Sequence, residues 1–446
     1  MSPRQPAVVA PIVTVLVDMQ RDADVLIIGC GPAGSTAATF LARTGRRVIV
    51  LERDAFPRFR IGESLLPYNR ALFEEMGVWP ALQAAGFPRK TGAQFHLIDG
   101  ARSRRFTFKH GAFTRHRETI QVERARFDHL LMQHARQVGA DVREGWPVER
   151  FHAETDAVTV EAQDPAGRPH RLRASFLIDA SGRANLTANQ QQLRRVHPRH
   201  RKVAIFSHFT GVPLDEGEPG GDTVIVWGGD HWFWLIPISD RKTSVGLVLD
   251  AREVAPGADG EQVFQSRLAG SPCMQKYLAG ARPLMDIKTT ADFSYFNQRL
   301  VDARVVRVGD AAGFMDPIFS GGVYLAMWGG KLAAQALSTA LQQRSRARRI
   351  LSAYERRLRR AMNVYWRLVE YYYTPAFMEV FLEPRDNLKI PAAVLAVLAG
   401  EWEPPWPVRW RLELFYLLVR LQKWRPFAPR LPFPRPTAEP GAATQA

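Results

Sequence analysis

The chain has 446 residues, 46% apolar and 23% charged, which suits a soluble globular protein of two or three domains, each with its own core. A formal charge of +16, from 60 Lys+Arg against 44 Asp+Glu, comes without a helix-turn-helix, RNP or zinc-finger pattern, which argues against nucleic acid. Cys30 and Cys273 cannot build a disulfide framework, and neither they nor the 11 histidines have metal-ligand spacing, so a reducing cytoplasmic compartment and a metal-free site are expected.

The apolar run 7–17 is too short to span a bilayer and lacks a cleavage site, so residues 1–21 read as a disordered extension, with Met19 as the expected start of translation. The run 24–29 is a buried parallel strand that enters a glycine turn, Gly29-Cys30-Gly31-Pro32-Ala33-Gly34. A helix over 32–44 and a second strand over 46–51 follow. Glu52 then stands 18 residues past Gly34, where a carboxylate hydrogen-bonds a ribose hydroxyl. Fingerprint, strands and acid together predict dinucleotide binding.

Further strands over 171–178 and 303–308 each run into a turn, Asp179-Ala180-Ser181-Gly182-Arg183 and Gly309-Asp310-Ala311-Ala312-Gly313. Such junctions meet a cofactor at the carboxyl edge of an open sheet, and a helix over 322–342 points its N-terminus there. No second Gly-x-Gly-x-x-Gly occurs, so nothing indicates a separate nicotinamide domain. Alternating segments at 92–99, 104–109, 203–209, 223–227 and 243–250 predict a sheet inserted into the dinucleotide domain at 92–119 and 203–298. One of its strands is Trp232-Phe233-Trp234-Leu235-Ile236-Pro237, whose alternation puts two indoles on one face, either as core filling or as a wall beside a cofactor.

The basic runs 194–202 and 344–349 read as solvated loops or helix faces, or as contacts for an acidic partner. Residues 343–424 form a basic, aromatic helical region. Its segment 408–424 either packs on the core or lies in a membrane interface, making peripheral membrane association an alternative to a freely cytoplasmic protein. The Pro-rich tail 425–446 is expected to be unstructured. The fold class is therefore α/β: a Rossmann-like domain over 22–342 with an inserted antiparallel substrate sheet and a C-terminal helical region.

The fingerprint, the run from Phe56 to Pro67 with Gly62-Glu63-Ser64 inside it, the segment from Gln121 to Asp128, and the 179–183 and 309–312 turns resemble FAD-dependent oxidoreductases of the hydroxybenzoate-hydroxylase and geranylgeranyl-reductase type. Within that superfamily, Trp232-x-Trp234-x-Ile236-Pro237 is similar to the signature of flavin-dependent halogenases. Phe314, Pro317, Ser320 and Gly322 meet a second halogenase pattern, Phe-x-x-Pro-x-x-Ser-x-Gly. Lys90, 61 residues after Gly29, stands where that family's lysine is expected.

The resemblance implies reduced FAD supplied by a separate flavin reductase and held by Gly29, Gly31, Pro32, Ala33, Gly34, Glu52, Arg53, Arg124, Asp310 and Pro317. It implies a halide beside the amides of Gly321 and Gly322, with Ser320 adjacent. It further implies hypohalous acid that hydrogen-bonds Lys90 or turns it into a haloamine, while Trp232 and Trp234 keep the substrate from the flavin. Free-tryptophan halogenases carry a glutamate just before the serine of the second pattern, where this chain has Phe319. That departure favours an already activated phenol or pyrrole, a substrate the related subgroup often tethers to an acidic carrier protein. His110 and His116 are candidate bases for the ring proton. The alternatives are a monooxygenase or dehydrogenase that keeps the fold without halogenating, and a prenyl-lipid saturase.

Overall fold

The computed structural model describes residues 21–431 except 199, 292–293 and 384–386; residues 1–20 of the extension expected over 1–21 and the end of the Pro-rich tail (432–446) lie outside the described residues. The apolar strand Ala23–Ile28 sits in the middle of a seven-stranded sheet, buried on both faces. Parallel neighbours Val48–Glu52 and Pro169–Asp179 flank it, with Asp141–Glu144 outside the first and Val305–Arg307 outside the second. Antiparallel strands Val158–Gln163 and Val148–Ala153 complete the other edge. The helices Pro32–Arg43, Gly321–Gln342 and Arg124–Gln137 pack together against this sheet. This is the expected Rossmann-like arrangement, with these helices on one face of the sheet, and it brings the ends of Ala23–Ile28 and Val305–Arg307 together at one edge.

The inserted sheet runs Arg282–Pro283, Lys202–Thr210, Thr243–Asp250, Trp232–Pro237, Thr223–Trp227, Gly92–Leu97 and Ser103–Thr107, with Lys288–Ala291 also paired to Lys202–Thr210. It is antiparallel except where Thr223–Trp227 runs parallel to Gly92–Leu97. Period two divides Trp232–Pro237 between two cores. Phe233 and Leu235 pack with Phe264 and Met274 beneath the helices Gly260–Ala269 and Pro272–Leu278. Trp232, Trp234 and Ile236 face the main core, shared with the dinucleotide domain and the C-terminal helices. Both faces of the strand are thus buried, which is why the hexapeptide has no polar position.

The C-terminal helices Ala347–Tyr372, Pro375–Phe381, Ile390–Ala399 and Trp406–Trp424 share that main core. Several strands are shorter than their apolar pattern predicts. The expected 303–308 strand is Val305–Arg307, because Gly309–Ala311 turns as a 3-10 helix, and 104–109 stops at Thr107 for a 3-10 turn at Phe108–His110. The basic run 194–202 is not simply a solvated loop. Arg194 lies over the Tyr295 ring, 4.1 Å from its centre, and Lys202 is buried 3.5 Å from Asp250. Among the described residues, no helix is long and apolar enough to cross a membrane.

Candidate active site

A cavity of about 890 Å³ opens where the two sheets meet, lined by the fingerprint, the turn after Val305–Arg307 and the indole face of the inserted sheet. The fingerprint is shaped by close packing. A Cβ on Gly34 would sit 1.9 Å from the Gly29 carbonyl oxygen, so Gly34 supports the turn without lining the cavity, whereas Gly29, Gly31, Pro32 and Ala33 line it. Glu52 reaches back to accept a 2.7 Å hydrogen bond from the Cys30 amide, which sets its carboxylate at the cavity wall beside Arg53.

Arg124 lines the cavity and grips fully buried Asp128 bidentately, through Nε at 2.8 Å and Nη2 at 2.9 Å, while Nη1 donates to the Ile61 carbonyl at 2.7 Å. Arg58 adds a 2.8 Å contact to the same carboxylate and lies 3.7 Å from Glu52. Burial alone would push the Asp128 carboxyl up, but the two guanidiniums outweigh it and hold it below the ordinary range. Burial pushes Asp310, also on the wall, up to about 6, against the pull of Arg124 and Arg183.

FAD fits this donor set. The glycine turn and helix N-terminus suit a pyrophosphate and Glu52 a ribose hydroxyl. Glu63 is among the lining residues; its Oε1 is 2.6 Å from His208 Nε2, while the buried Oε2 has no hydrogen-bond partner among the described residues.

Trp232 and Trp234 form one wall, their ring centres 5.9 Å apart and both buried. Trp234 Nε1 donates to Ser244 Oγ at 3.1 Å and Trp232 Nε1 to Tyr373 Oη at 3.0 Å; the tyrosine in turn donates to Asp316 Oδ2 at 2.8 Å. Burial pushes Asp316 up to about 6, opposed by the Ile318 amide, the Tyr373 hydroxyl and Lys202. The C-terminal helical region is thereby tied to both the indole wall and the 314–322 loop.

Trp234 lies directly across from Gly246 in the sheet, and a Cβ there would come within 2.1 Å of the indole. Gly246→Ala is therefore expected to displace Trp234 and cost about 1–3 kcal/mol, read by denaturant unfolding and loss of near-ultraviolet tryptophan dichroism.

Lys90 is on the short strand Arg89–Lys90, paired with Thr119–Ile120, and is 2% exposed. Nζ donates to Ser64 Oγ at 2.7 Å and to the Leu65 carbonyl at 3.1 Å. Ser64 Oγ is 2.8 Å from Thr223 Oγ1, which also accepts from Gln121 Nε2 at 3.0 Å. Lys90 does not line the cavity; Ser64 and Thr223 do, and they stand between it and the amine. Burial pushes the Lys90 ammonium down to about 7, with Asp222 pulling the other way.

In the 314–322 loop, Phe314, Pro317, Ser320 and Gly322 face the cavity, Ser320 with a left-handed φ of 58°. Gly321 departs from expectation: it does not line the cavity, and its amide donates to the Tyr365 hydroxyl at 3.3 Å. Phe319 is buried edge-on against Tyr372 and Tyr365, at ring distances of 5.3 and 6.1 Å. Neither candidate base reaches the cavity. Exposed His110 meets Thr107 Oγ1 at 2.9 Å, and His116 stacks edge-on with Tyr68. Sequence reasoning missed Ser64, although the Gly62-Glu63-Ser64 run was visible. Thr223, Tyr373 and Gly246 carried no local signal, because only strand register and helix docking bring them to the site.

Comparisons with known proteins identify the family. The family model for the FAD binding domain matches residues 22–367. The tryptophan 2-halogenase of Chondromyces crocatus is 34% identical over 322 residues, covering 71% of this chain and 61% of the relative. The 1H-pyrrole-2-carbonyl-(peptidyl-carrier protein) brominase of Pseudoalteromonas luteoviolacea is 32% identical over 71% of this chain and 78% of its own length. The corresponding chlorinase of Pseudomonas fluorescens is 28% identical over 85% and 90%. The chain thus spans less than two thirds of the tryptophan 2-halogenase and most of the two carrier-protein halogenases.

Among solved structures, a flavoprotein/dehydrogenase of Cytophaga hutchinsonii superposes with a TM-score of 0.81 at 26% identity, covering 90% of this chain and 99% of the other. The myxobacterial chondrochloren halogenase superposes with 0.73 at 30% identity, covering 89% and 97%. With the FAD-binding domain matched over most of its length and a halogenase related over more than two thirds of both chains, this protein belongs to the flavin-dependent halogenase family.

Proposed function

We propose that the protein halogenates an electron-rich aromatic ring, a phenol or pyrrole presented on a carrier protein, using halide, oxygen and reduced FAD from a separate flavin reductase. The observation that carries this reading is the buried Lys90 amine, joined to the cavity lining through Ser64, whose hydroxyl in turn meets that of Thr223, in a cavity that Trp232 and Trp234 also line. When bound, reduced FAD supplies the electrons with which oxygen becomes an oxidant of halide. Gly29, Gly31, Pro32 and Ala33 would hold its pyrophosphate, Glu52 its ribose, and Arg53, Arg124, Asp310 and Pro317 would line the rest of its site.

Ser320 and the Gly322 amide face the halide, at the positive end of the helix Gly321–Gln342. The indoles exclude the aromatic, so the oxidant that crosses is small: hypohalous acid. The neutral Lys90 amine exchanges a proton for halogen, giving haloamine and water. The ring then takes the halogen and returns its proton to the nitrogen, restoring the amine. Phe319, locked between Tyr365 and Tyr372, offers no carboxylate to polarise the ring, which restricts the substrate to activated aromatics. The two pyrrole-carrier relatives and the basic surface support a tethered substrate.

Ser64 positions Lys90. Ser64→Ala is expected to reduce halogenation about tenfold or more at unchanged hypohalous acid output, with Ser64→Thr restoring it. Because the lost acceptor favours the ammonium, the Ala variant's activity rise should also move to lower pH, a shift that mere loosening of the fold would not produce. The test of the function itself is incubation with flavin reductase, NADH, FAD, bromide and phenols and pyrroles, free and carrier-bound. A bromine isotope doublet in the product supports halogenation; insertion of oxygen, or flavin oxidation alone, refutes it.

A further inference from the structure

The helix Trp406–Trp424 divides its side chains between two environments. Val408, Leu412, Phe415, Tyr416 and Val419 are buried, while Trp406 is 73% exposed, Leu417 and Leu421 47% each, Trp424 85%, and Phe427 just beyond it 45%. Among the described residues, these are five of nine exposed large hydrophobic side chains, gathered in 22 consecutive positions. Positions 406, 410, 417, 421 and 424 recur at helical spacing, so they lie on one stripe about 28 Å long. Exposed Arg409 and Arg420 flank it along one side, and exposed Lys423 and Arg425 lie at its Trp424 end. The helix's one acid, Glu413, is bound by Arg367 of the neighbouring helix and so is neutralised within the protein.

We propose that this face seats the protein on an anionic phospholipid surface, with the helix lying in the headgroup plane and the indoles of Trp406 and Trp424 anchoring its two ends. Charge complementarity selects the occupant: four exposed cations border the stripe, and its acid is already satisfied. Shape agrees, because both ends of a straight stripe are bare, as a flat surface requires. The first half of the helix touches a segment that packs near Lys90. Arg411 lies over the Phe113 ring, 4.9 Å from its centre, in a segment whose Phe108 ring is centred 5.9 Å from Lys90 Nζ.

The test is co-sedimentation of the full-length, FAD-loaded protein with vesicles of phosphatidylcholine alone or with added phosphatidylglycerol. The expected result is about tenfold stronger partitioning onto the anionic vesicles, with a blue shift of tryptophan emission and reversal by salt. Trp406→Ser with Trp424→Ser should lower partitioning about tenfold, and Lys423→Glu with Arg425→Glu should abolish the preference for anionic lipid. Leu284→Gln, at an exposed apolar position elsewhere, should leave it unchanged. Circular dichroism and FAD retention report folding of each variant. Equal sedimentation with both vesicle types overturns the proposal, as does wild-type partitioning of the double tryptophan variant. Protection of this helix by an acidic carrier protein, without vesicle binding, reassigns the face to a protein partner and likewise overturns it.

Discussion

Lys90→Met is expected to abolish aromatic halogenation, by about a thousandfold or more, and at the same time to make the protein more stable. The first effect follows from removing the amine that receives halogen; oxidation of reduced flavin and release of free oxidant should persist, which product mass spectrometry and a peroxide assay separate. The second follows from burial. The folded Lys90 loses its proton near pH 7, whereas the unfolded chain keeps it up to the ordinary lysine value. Between those limits the unfolded state binds more protons, so the wild type gains stability as pH rises through this window and bears the full burial cost below it. Methionine carries no such cost. A gain of about 2 kcal/mol at pH 6.5, narrowing as pH rises toward 10, is expected from denaturant unfolding, offset in part by the Leu65 carbonyl left unpaired. A pH-independent gap, or retained halogenation, would contradict this role for the lysine.

Arg124→Met is expected to have the largest cost to the fold, about 3–5 kcal/mol at pH 7, together with marked loss of FAD. Asp128 is fully buried, and Arg124 supplies two of its three guanidinium hydrogen bonds. In the wild type this depressed carboxyl stabilises the fold above its unfolded value and loses that contribution only in strong acid. With Arg124 gone, burial regains weight against Arg58 alone and the carboxyl rises. Its contribution is then present at low pH and lost as pH increases, so the deficit should shrink as pH falls from 7 toward 4. Unfolding curves at several pH values check the sign, and equilibrium dialysis checks FAD retention.

The dinucleotide fold was legible because its determinants are local. A buried apolar strand, a glycine turn whose Gly34 admits no Cβ and an acid at the end of the next strand occupy one short stretch, so 23–52 could be read with only small errors at element ends. The indole pair was equally legible, since strand alternation alone puts Trp232 and Trp234 on one face. The shielding of Lys90 was not: Ser64, Gln121 and Thr223 come from three separate segments that meet only through sheet pairing and loop docking. Gly321 was misread for a similar reason, because the hydroxyl that takes its amide belongs to Tyr365 of a helix docked from the C-terminal region.

What the sequence by itself determined was the α/β class, the dinucleotide turn and the shared face of the two indoles, all set by periodicity and spacing within a few tens of residues; Lys90 was singled out only through the family resemblance. Tertiary structure alone decided that Lys90 is buried with a weakened hold on its proton, that Asp316 is linked to Trp232 through Tyr373, and that Gly246 makes room for Trp234. Those properties depend on desolvation and on contacts between segments distant along the chain, quantities that exist only once the chain has folded.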